Sequence, residues 1–258
     1  GHDAGWDQAR VDVGLYVRGD PRTFEEVLLA AMAQAPEIRR AWGERLIEKG
    51  RWKEAASVFD ELIEPASTDA LTCMQAAILY AYNDDLDRFH QHSRNALGFF
   101  VDTNDPVAAE RIAKGCLSVP PLETNSQLAT ELANKALTLD PNYSWAQLAK
   151  AMAEYRSGNE QAAIEWAEKC IANSSDLPEW HLDFVPRRNA LAVGVLAMAK
   201  ARSGDRDAAR ERSAEFSTML MKLSPFHTGR DIGEDWHDWL LCDMFLREIR
   251  QFQIVAEN

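Results

Sequence analysis

The sequence predicts an all-α, superhelical array of antiparallel helix pairs that closes with a C-terminal capping helix. Helix-forming residues dominate and alternating β-branched runs are scarce, so almost no strand is expected. Apolar residues recur at the spacing of one helix face, as in the stripe Ala55, Val58, Phe59 and Leu62. Short breakers separate helical stretches of similar length, at residues 49–51, 83–85, 157–159 and 203–205.

Composition and charge exclude several classes of protein. The 258 residues are 46% hydrophobic, which is enough for one or two domains with a substantial core. The net charge of −13 argues against a nucleic-acid partner and against an anionic membrane surface, because both attract basic faces. No apolar run reaches the roughly 18 residues of a membrane span. The start, Gly1-His2, lacks an initiator Met and an apolar leader, so we expect a fragment or processed chain located in the cytoplasm.

A repeat emerges when the helix pairs are aligned on one position early in each second helix. The aligned residues are Ala55, Phe89, Ala129, Ala163 and Ala209. The first two lie 34 residues apart, and so do the third and fourth. The other two intervals are 40 and 46 residues, which predicts insertions near residues 101–106 and 173–188. A period of about 34 residues is typical of stacked helical hairpins.

The first pair resembles the tetratricopeptide repeat. Gly43, Gly50, Trp52, Ala55 and Phe59 match its first-helix small residue, turn glycine, second-helix aromatic and A-x-x-x-F pair. Later units match through the sets Ala129, Ala136, Pro141, then Ala151, Gly158, Ala163, and then Ala197, Gly204, Ala209. The second unit departs from the pattern, because Phe89 replaces the usual Ala. The resemblance covers roughly residues 36–225 and implies a tetratricopeptide-like solenoid that binds a protein or peptide in its concave groove.

Three parts of the chain are predicted. Residues 1–35 form an N-terminal helical segment that could complete a further repeat. Residues 36–225 form about five helical hairpins, and residues 226–258 form a loop and the capping helix. Terminal repeats need such a cap, because their outer faces are otherwise exposed.

A second resemblance is narrower. Residues 46–56, 103–117, 235–240 and 246–248 are similar to the C-terminal repeat region of large planctomycete-type bacterial serine/threonine protein kinases. The chain itself has no G-x-G-x-x-G, HRD or DFG motif. The resemblance therefore implies a sensory or scaffolding part of a larger bacterial signalling protein, without catalytic residues.

Histidine and aspartate residues that are close in the sequence could suggest catalysis, but most of them are better interpreted as structural residues of helices. His237 and Asp238 are adjacent, so on a helix they point to different faces. We expect Trp236, Trp239, Leu240 and Phe245 to cover the last repeat from a helix over residues 234–252. His90 and His92 diverge in the same way. His181 and Asp183, in the insertion, remain an alternative metal or enzyme site.

The four cysteines form no CxxC pair and are interpreted as buried, reduced thiols, with a disulfide or metal site left open. No nucleophile motif is present. We therefore predict no enzyme, no cofactor and no metal.

The predicted functional surface is the concave groove, lined by the first helix of each pair. Its candidate partner-binding residues are Arg40, Met74, Tyr82, Arg111, Lys114, Trp145, Tyr155, Arg156 and Arg202. Methionine and aromatic side chains would anchor apolar groups, and the cations would pair with acidic ones. The alternative is that these residues pack against neighbouring helices, with their charged ends reaching water.

The sequence thus predicts a non-catalytic adaptor or scaffold. Its partner would be a protein or peptide with apolar anchors and acidic groups. Two other functions stay open: a self-assembling repeat protein whose last helix stacks one array on another, and the regulatory part of a larger kinase. The oligomeric state is left open.

Overall fold

The computed structural model describes residues 35–63, 69–173, 185–229 and 232–252, and these residues contain helices, turns and no strand. Residues 1–34 of the predicted N-terminal segment lie outside the described part, as do His181 and Asp183 of the insertion. The chain divides into two compact units, residues 1–68 and 69–258. None of the described helices is long and apolar enough to cross a membrane.

The first unit holds one described helix pair, α1 (Pro36–Glu48) and α2 (Trp52–Asp60). Gly50 turns the chain between them with a left-handed φ of +67°. A Cβ added at Gly43 of α1 would lie 2.9 Å from a ring carbon of Phe59 of α2. The close approach of the two helices therefore requires the small residue that the repeat pattern predicts.

The described residues of the second unit form four further pairs, in which each second helix packs against its own first helix and, except for the last, against the next one. The pairs are α3 (Ala70–Tyr82) with α4 (Leu86–Phe100), α5 (Pro106–Cys116) with α6 (Glu123–Leu139), α7 (Ser144–Arg156) with α8 (Glu160–Ala172), and α9 (Val185–Arg202) with α10 (Arg206–Leu223). The short α11 (Pro225–Thr228) and the long α12 (Trp236–Gln251) follow. The predicted all-α solenoid of helix pairs is thereby confirmed.

One turn geometry recurs between the helices of a pair. Gly158 and Gly204 are left-handed, with φ of +78° and +87°, and Asp84 takes the same position with φ of +58°. At each of these turns the next residue's N–H donates to the carbonyl five residues earlier, as from Asp205 to Lys200 at 3.1 Å. This is the Schellman ending of a helix, which suits glycine because a Cβ disfavours positive φ.

The aligned position of the repeat is buried in every pair. Ala55, Phe89, Ala129, Ala163 and Ala209 are all 0% exposed. Four of them are the fourth residue of their second helix, whereas Ala129 is the seventh residue of the longer α6. The larger Phe89 is thus accommodated inside the second pair rather than expelled from it.

The first helices form the inner layer of the second unit. Helices α3, α5, α7 and α9 pack on one another in succession. Among the second helices, α4 packs on α6, but α6 with α8 and α8 with α10 make no comparable contact. A stack whose layers are packed unequally bends towards the tighter layer, so the first helices line its concave side.

Helix α12 covers α9 of the last pair, as predicted for a capping helix, but it also packs on α3, the first helix of this unit. Its aromatic residues face the protein: Trp236 and Phe245 are each 1% exposed and Trp239 is 6% exposed. The helix therefore lies along the inner layer rather than only over the end of the stack.

Candidate protein-interaction surface

The candidate site is the inner face, which we define as the surface of α3, α5, α7 and α9 that α12 covers. Polar side chains of α12, or of Asp235 just before it, reach each of these four helices. The closest pairs are His237 with Gln75 of α3, Asp238 with Lys114 of α5, Glu248 with Tyr155 and Arg156 of α7, and Asp235 with Arg187 of α9. The predicted groove is thus occupied by a helix of the same chain.

The start of α12 is held by an ion network that we call the Lys114 cluster (Glu110, Lys114, Arg187, Asp235 and Asp238). The Lys114 Nζ lies 3.2 Å from Glu110 Oε1 and 3.4 Å from Asp238 Oδ1. Arg187 contributes a second cation, 2.6 Å from Asp235 and 3.8 Å from Asp238. Two cations of the array therefore bind two carboxylates at the beginning of α12.

Burial and the neighbouring charges together determine the pKa of each group in this cluster. Burial opposes ionisation of Asp238, but the cations Lys114 and Arg187 outweigh it and hold the pKa of Asp238 below its ordinary value. Burial also opposes the charge of Lys114, yet Asp238 and Glu110 raise the pKa of its ammonium group. For Glu110, burial prevails over Lys114 and raises the carboxyl pKa. Lys114 and Asp238 are therefore both charged at neutral pH.

His237 is neutral at the same pH. Burial lowers its pKa to about 4, with Lys114 and Arg187 adding to the effect and Asp238 opposing it. Its Nδ1 lies 3.5 Å from Gln75 Nε2. This arrangement suits a packed, uncharged imidazole and not an acid–base catalyst.

The end of α12 is held by the Arg156 cluster (Tyr155, Arg156 and Glu248). The Tyr155 hydroxyl donates to Glu248 Oε1 at 2.5 Å, and Arg156 Nη1 donates to the same oxygen at 2.7 Å. Arg156 also donates to the carbonyls of Leu117 and Ser118, each at 3.0 Å. The loop after α5 therefore orients the guanidinium before it meets the carboxylate.

An apolar seat lies between these two clusters. A Cβ added at Gly194 of α9 would lie 3.0 Å from Phe245 of α12 and 3.2 Å from Phe216 of α10. Because position 194 has no side chain, the Phe245 ring can approach the α9 backbone. The inner face thus has two cationic sockets, Lys114 and Arg156, and one aromatic seat, the surface at Gly194 that the Phe245 ring approaches.

Several predicted groove residues lie at this contact. Lys114, Tyr155 and Arg156 pair with α12 as described above. The ring of Tyr82 lies 4.4 Å from the guanidinium of Arg247, also on α12. The ring of Trp145 lies 4.1 Å below the Lys114 ammonium and so supports it from the array side.

Other predicted groove residues are used inside the array. Met74 is buried against α5, where a Cβ at Gly115 would lie 3.2 Å from its Cγ. Arg202 donates to the Tyr155 carbonyl at 2.9 Å and pairs with Glu160 at 3.2 Å. These two follow the alternative interpretation, packing between helices.

The two remaining predicted residues differ in their surroundings. Arg40 lies in the first unit, 5.8 Å from the Phe59 ring. Arg111 of α5 is half-buried, and among the described residues it makes no hydrogen bond or ion pair. A partner role for these residues stays a prediction.

Sequence reasoning missed one cation of the array and the carboxylates that α12 and Asp235 bring to it. The predicted insertion includes Arg187, but the residue lies in the first turn of α9. Asp235, Asp238 and Glu248 were not linked to the groove. The available signal was the pattern of α12 itself, which carries acids near both ends and aromatics between them.

One group in the described residues has ligand atoms close enough for a metal ion: Asp235, His237 and Asp238, within 4.8 Å of one another. Lys114 and Arg187 already lie against these carboxylates, and their charges would repel a metal cation. We therefore interpret the group as part of the Lys114 cluster.

The remaining nucleophile and ligand candidates are structural. All four cysteines are free and buried, and burial raises the pKa of Cys73, Cys116 and Cys170 to about 12. Such thiols are poor nucleophiles at neutral pH. His92 is buried and its Nε2 lies 2.8 Å from the Cys73 carbonyl, so it does not act with His90.

No family model and no curated protein matches the chain. Among solved structures, MamA AMB-1 is 15% identical, with a TM-score of 0.42 over 71% of this chain and 98% of the other. MamA MSR-1 is 15% identical, with a TM-score of 0.40 over 72% and 97%. A Podosopora anserina putative kinesin light chain with TPR-like repeats is 15% identical, with a TM-score of 0.46 over 71% and 93%. These similarities are weak, and the fold assignment rests on the helix pairs described above.

Proposed function

We propose that this chain is a non-catalytic protein-interaction module whose inner face binds a partner protein or peptide with apolar anchors and acidic groups. The observation that supports the proposal is the set of contacts with α12. On this face, one aromatic seat and two cationic sockets accept α12, a helix with acids near both ends and a buried aromatic residue between them. Those are the properties expected of a surface that recognises a helix laid into a groove.

The absence of catalysis is part of the proposal. Within the described residues, the buried thiols have raised pKa values and His237 is packed and neutral. Carboxylates of the inner face are engaged in ion pairs with Lys114, Arg156 and Arg187. A nucleophile with an adjacent base, which covalent catalysis requires, is not formed there.

Arg111 is the residue through which the proposal can be tested with least damage. It lies on α5, one turn before Lys114, and has no ion-pair partner among the described residues. A guanidinium in this position is available to a carboxylate of the partner. Lys114 is unsuitable for charge reversal, because it is 3% exposed and bound to two carboxylates.

The test is an affinity pull-down from the native cell lysate, read by mass spectrometry, with wild type beside Arg111→Glu. The matched control is Arg94→Glu, an exposed residue on the second helix α4. We expect wild type and the control to retain one partner that Arg111→Glu loses by about tenfold or more, equivalent to about 1.4 kcal/mol. Equal recovery by all three proteins would place partner binding away from the inner face.

Self-assembly is the competing function. Its predicted interface was the aromatic face of the last helix, but Trp236, Trp239 and Phe245 are buried within the unit. Light scattering at high protein concentration tests it, since assembly requires a mass above that of one chain. A role as the scaffolding part of a larger bacterial signalling kinase, in the cytoplasm, remains a proposal carried by the sequence resemblance.

A further inference from the structure

We propose that the partner of the inner face is an amphipathic helix that mimics α12 and displaces it. The inference rests on the proposed function and specifies both the ligand and its regulation. The required pattern is a carboxylate, an aromatic residue seven positions later and a second carboxylate three positions after that. In this chain the pattern is Asp238, Phe245 and Glu248.

Helix geometry explains the spacing. Residues seven apart on an α-helix lie within about 20° of each other around the axis, so Asp238 and Phe245 share one face. Glu248 follows three residues later, on the neighbouring part of that face. The two carboxylates are separated by about 15 Å along the axis, which matches sockets on two different helices of the array, α5 and α7.

The sockets are built by the array and not by α12. Lys114 is positioned from below by Trp145 at 4.1 Å and from the side by Glu110 at 3.2 Å. Arg156 is positioned by the carbonyls of Leu117 and Ser118. None of these four supports belongs to α12, so a different helix would meet the same preorganised cations.

Charge favours replacement of α12 over an empty inner face. Glu248 is the carboxylate that Arg156 meets among the described residues, and the Arg156 side chain is 3% exposed. A buried guanidinium that loses its carboxylate is strongly destabilised, because its desolvation is no longer compensated. The inner face therefore selects an occupant that supplies an acid at this position.

Helix α12 competes with any partner for the inner face, so a partner must bind this face more strongly than α12 does. A short segment connects it to α11. Gly229 and Gly233 of this segment have a left-handed φ, and an added Cβ at either position would meet no atom within 4 Å. A short tether gives a helix an effective concentration on the order of millimolar. A free helix that makes the same contacts therefore competes poorly until α12 is weakened. Its apparent Kd is its intrinsic Kd divided by the fraction of molecules in which α12 is undocked.

The experiment uses the full chain and a fluorescent peptide of residues 234–252, with binding measured by anisotropy. In the Glu248→Lys chain, a cation faces Arg156 and weakens the chain's own α12, whereas the wild-type peptide still carries Glu248. We expect this variant to bind the peptide at least tenfold more tightly than the wild-type chain does. Equal binding, or binding to neither chain, overturns the proposal.

Two matched peptides test the recognition pattern. A peptide with Glu248→Lys should lose at least tenfold in affinity for the variant chain, because it lacks the acid for Arg156. A peptide with Gln251→Lys changes an exposed position and should bind like the wild-type peptide. If both peptides bind equally, Arg156 does not recognise the carboxylate at position 248 and the proposal is wrong.

Folding and self-association are checked on the same samples. Circular dichroism must show that the Glu248→Lys chain keeps the helicity of wild type. Light scattering must show one chain per particle, since a dimer that excludes the peptide would mean that α12 is exchanged between copies, which overturns the proposal. A lysate partner that is lost on Arg111→Glu while the peptide fails would leave the proposed function standing and this inference refuted.

Discussion

Lys114 illustrates how a single buried charge is stabilised in this protein. It is 3% exposed, yet it has Glu110 and Asp238 within ion-pair distance and Trp145 below its ammonium group. Desolvation of a cation costs several kcal/mol, and only partners arranged on several sides compensate for it. The residue therefore couples α5, α7 and α12 through one atom.

Replacing Lys114 by Met should destabilise the protein strongly. The variant keeps most of the side-chain volume but leaves Asp238 buried without this cation, so we expect the free energy of unfolding to fall by about 3–5 kcal/mol. Urea denaturation followed by circular dichroism measures it. The control Lys222→Met, on an exposed position of α10, should change stability by no more than about 0.5 kcal/mol. Similar losses in both variants would contradict a stabilising role for the cluster.

His237 predicts a pH dependence of stability. Its pKa is about 4 in the folded protein and about 6.5 when unfolded. Between these values the unfolded state binds more protons, so stability is present above pH 6.5 and is lost as the pH falls towards 4. The loss attributed to this residue can reach about 3 kcal/mol.

The variant His237→Gln isolates this effect from the other titrating groups of the cluster. Denaturation midpoints measured from pH 7.5 to 4 should fall more steeply for wild type than for the variant. Parallel curves would show that His237 does not carry the dependence. Glu110 and Asp235 act in the opposite direction, because their raised carboxyl pKa values make the folded state bind more protons as the pH falls.

At the scale of elements, the turns within the pairs are set by backbone conformation. Gly204 has a φ of +87° and an added Cβ would meet no atom within 4 Å. Gly98, in helix α4, also has open space at its Cβ position, and no left-handed φ. The two glycines therefore differ in backbone conformation and not in available space.

The same substitution should have opposite effects at these two positions. Gly204→Ala should reduce stability by about 1–2 kcal/mol, because an L-residue is strained in the left-handed region. Gly98→Ala should raise stability by about 0.5 kcal/mol, because alanine favours the helix. Thermal unfolding of both variants is the measurement. A loss at Gly98 would indicate a contact at that site, and no loss at Gly204 would show that the turn can rearrange.

At the scale of the whole molecule, α12 links the first and last pairs of the second unit. It contacts α3 and α9, which are separated by more than 100 residues of sequence. Its Cys242 is 1% exposed, and burial raises the pKa of the thiol well above its ordinary value. Reaction of Cys242 with a thiol reagent therefore reports undocking of α12.

Glu248→Gln should accelerate labelling of Cys242 selectively. Loss of the charge weakens the bonds from Tyr155 and Arg156, which at about 1.5–3 kcal/mol corresponds to roughly 10–100-fold faster labelling. Cys170, buried in α8, serves as the internal control and should keep its wild-type rate. Mass spectrometry of labelled peptides separates the two sites. Equal acceleration at both would mean that α12 leaves only when the whole unit unfolds.

The sequence by itself determined the helical class, the turns and the register of the pairs. These features are encoded locally: a glycine at position 50, 158 or 204 permits a left-handed turn, and the residue aligned with Ala55 is buried in each pair. It also indicated the first helices as the concave side and placed Lys114, Tyr155 and Arg156 among their side chains. Short-range spacing is sufficient for this, because helix periodicity assigns each residue to a face.

Only the tertiary structure decided what occupies that side. The contact of Lys114 with Asp238 joins residues 124 positions apart, and that of Arg156 with Glu248 joins residues 92 apart. No local pattern specifies such a pair, because any acidic, aromatic helix could satisfy the same cations. The path of the chain brings α12 there, and the burial that follows determines which charges pair and which pKa values shift.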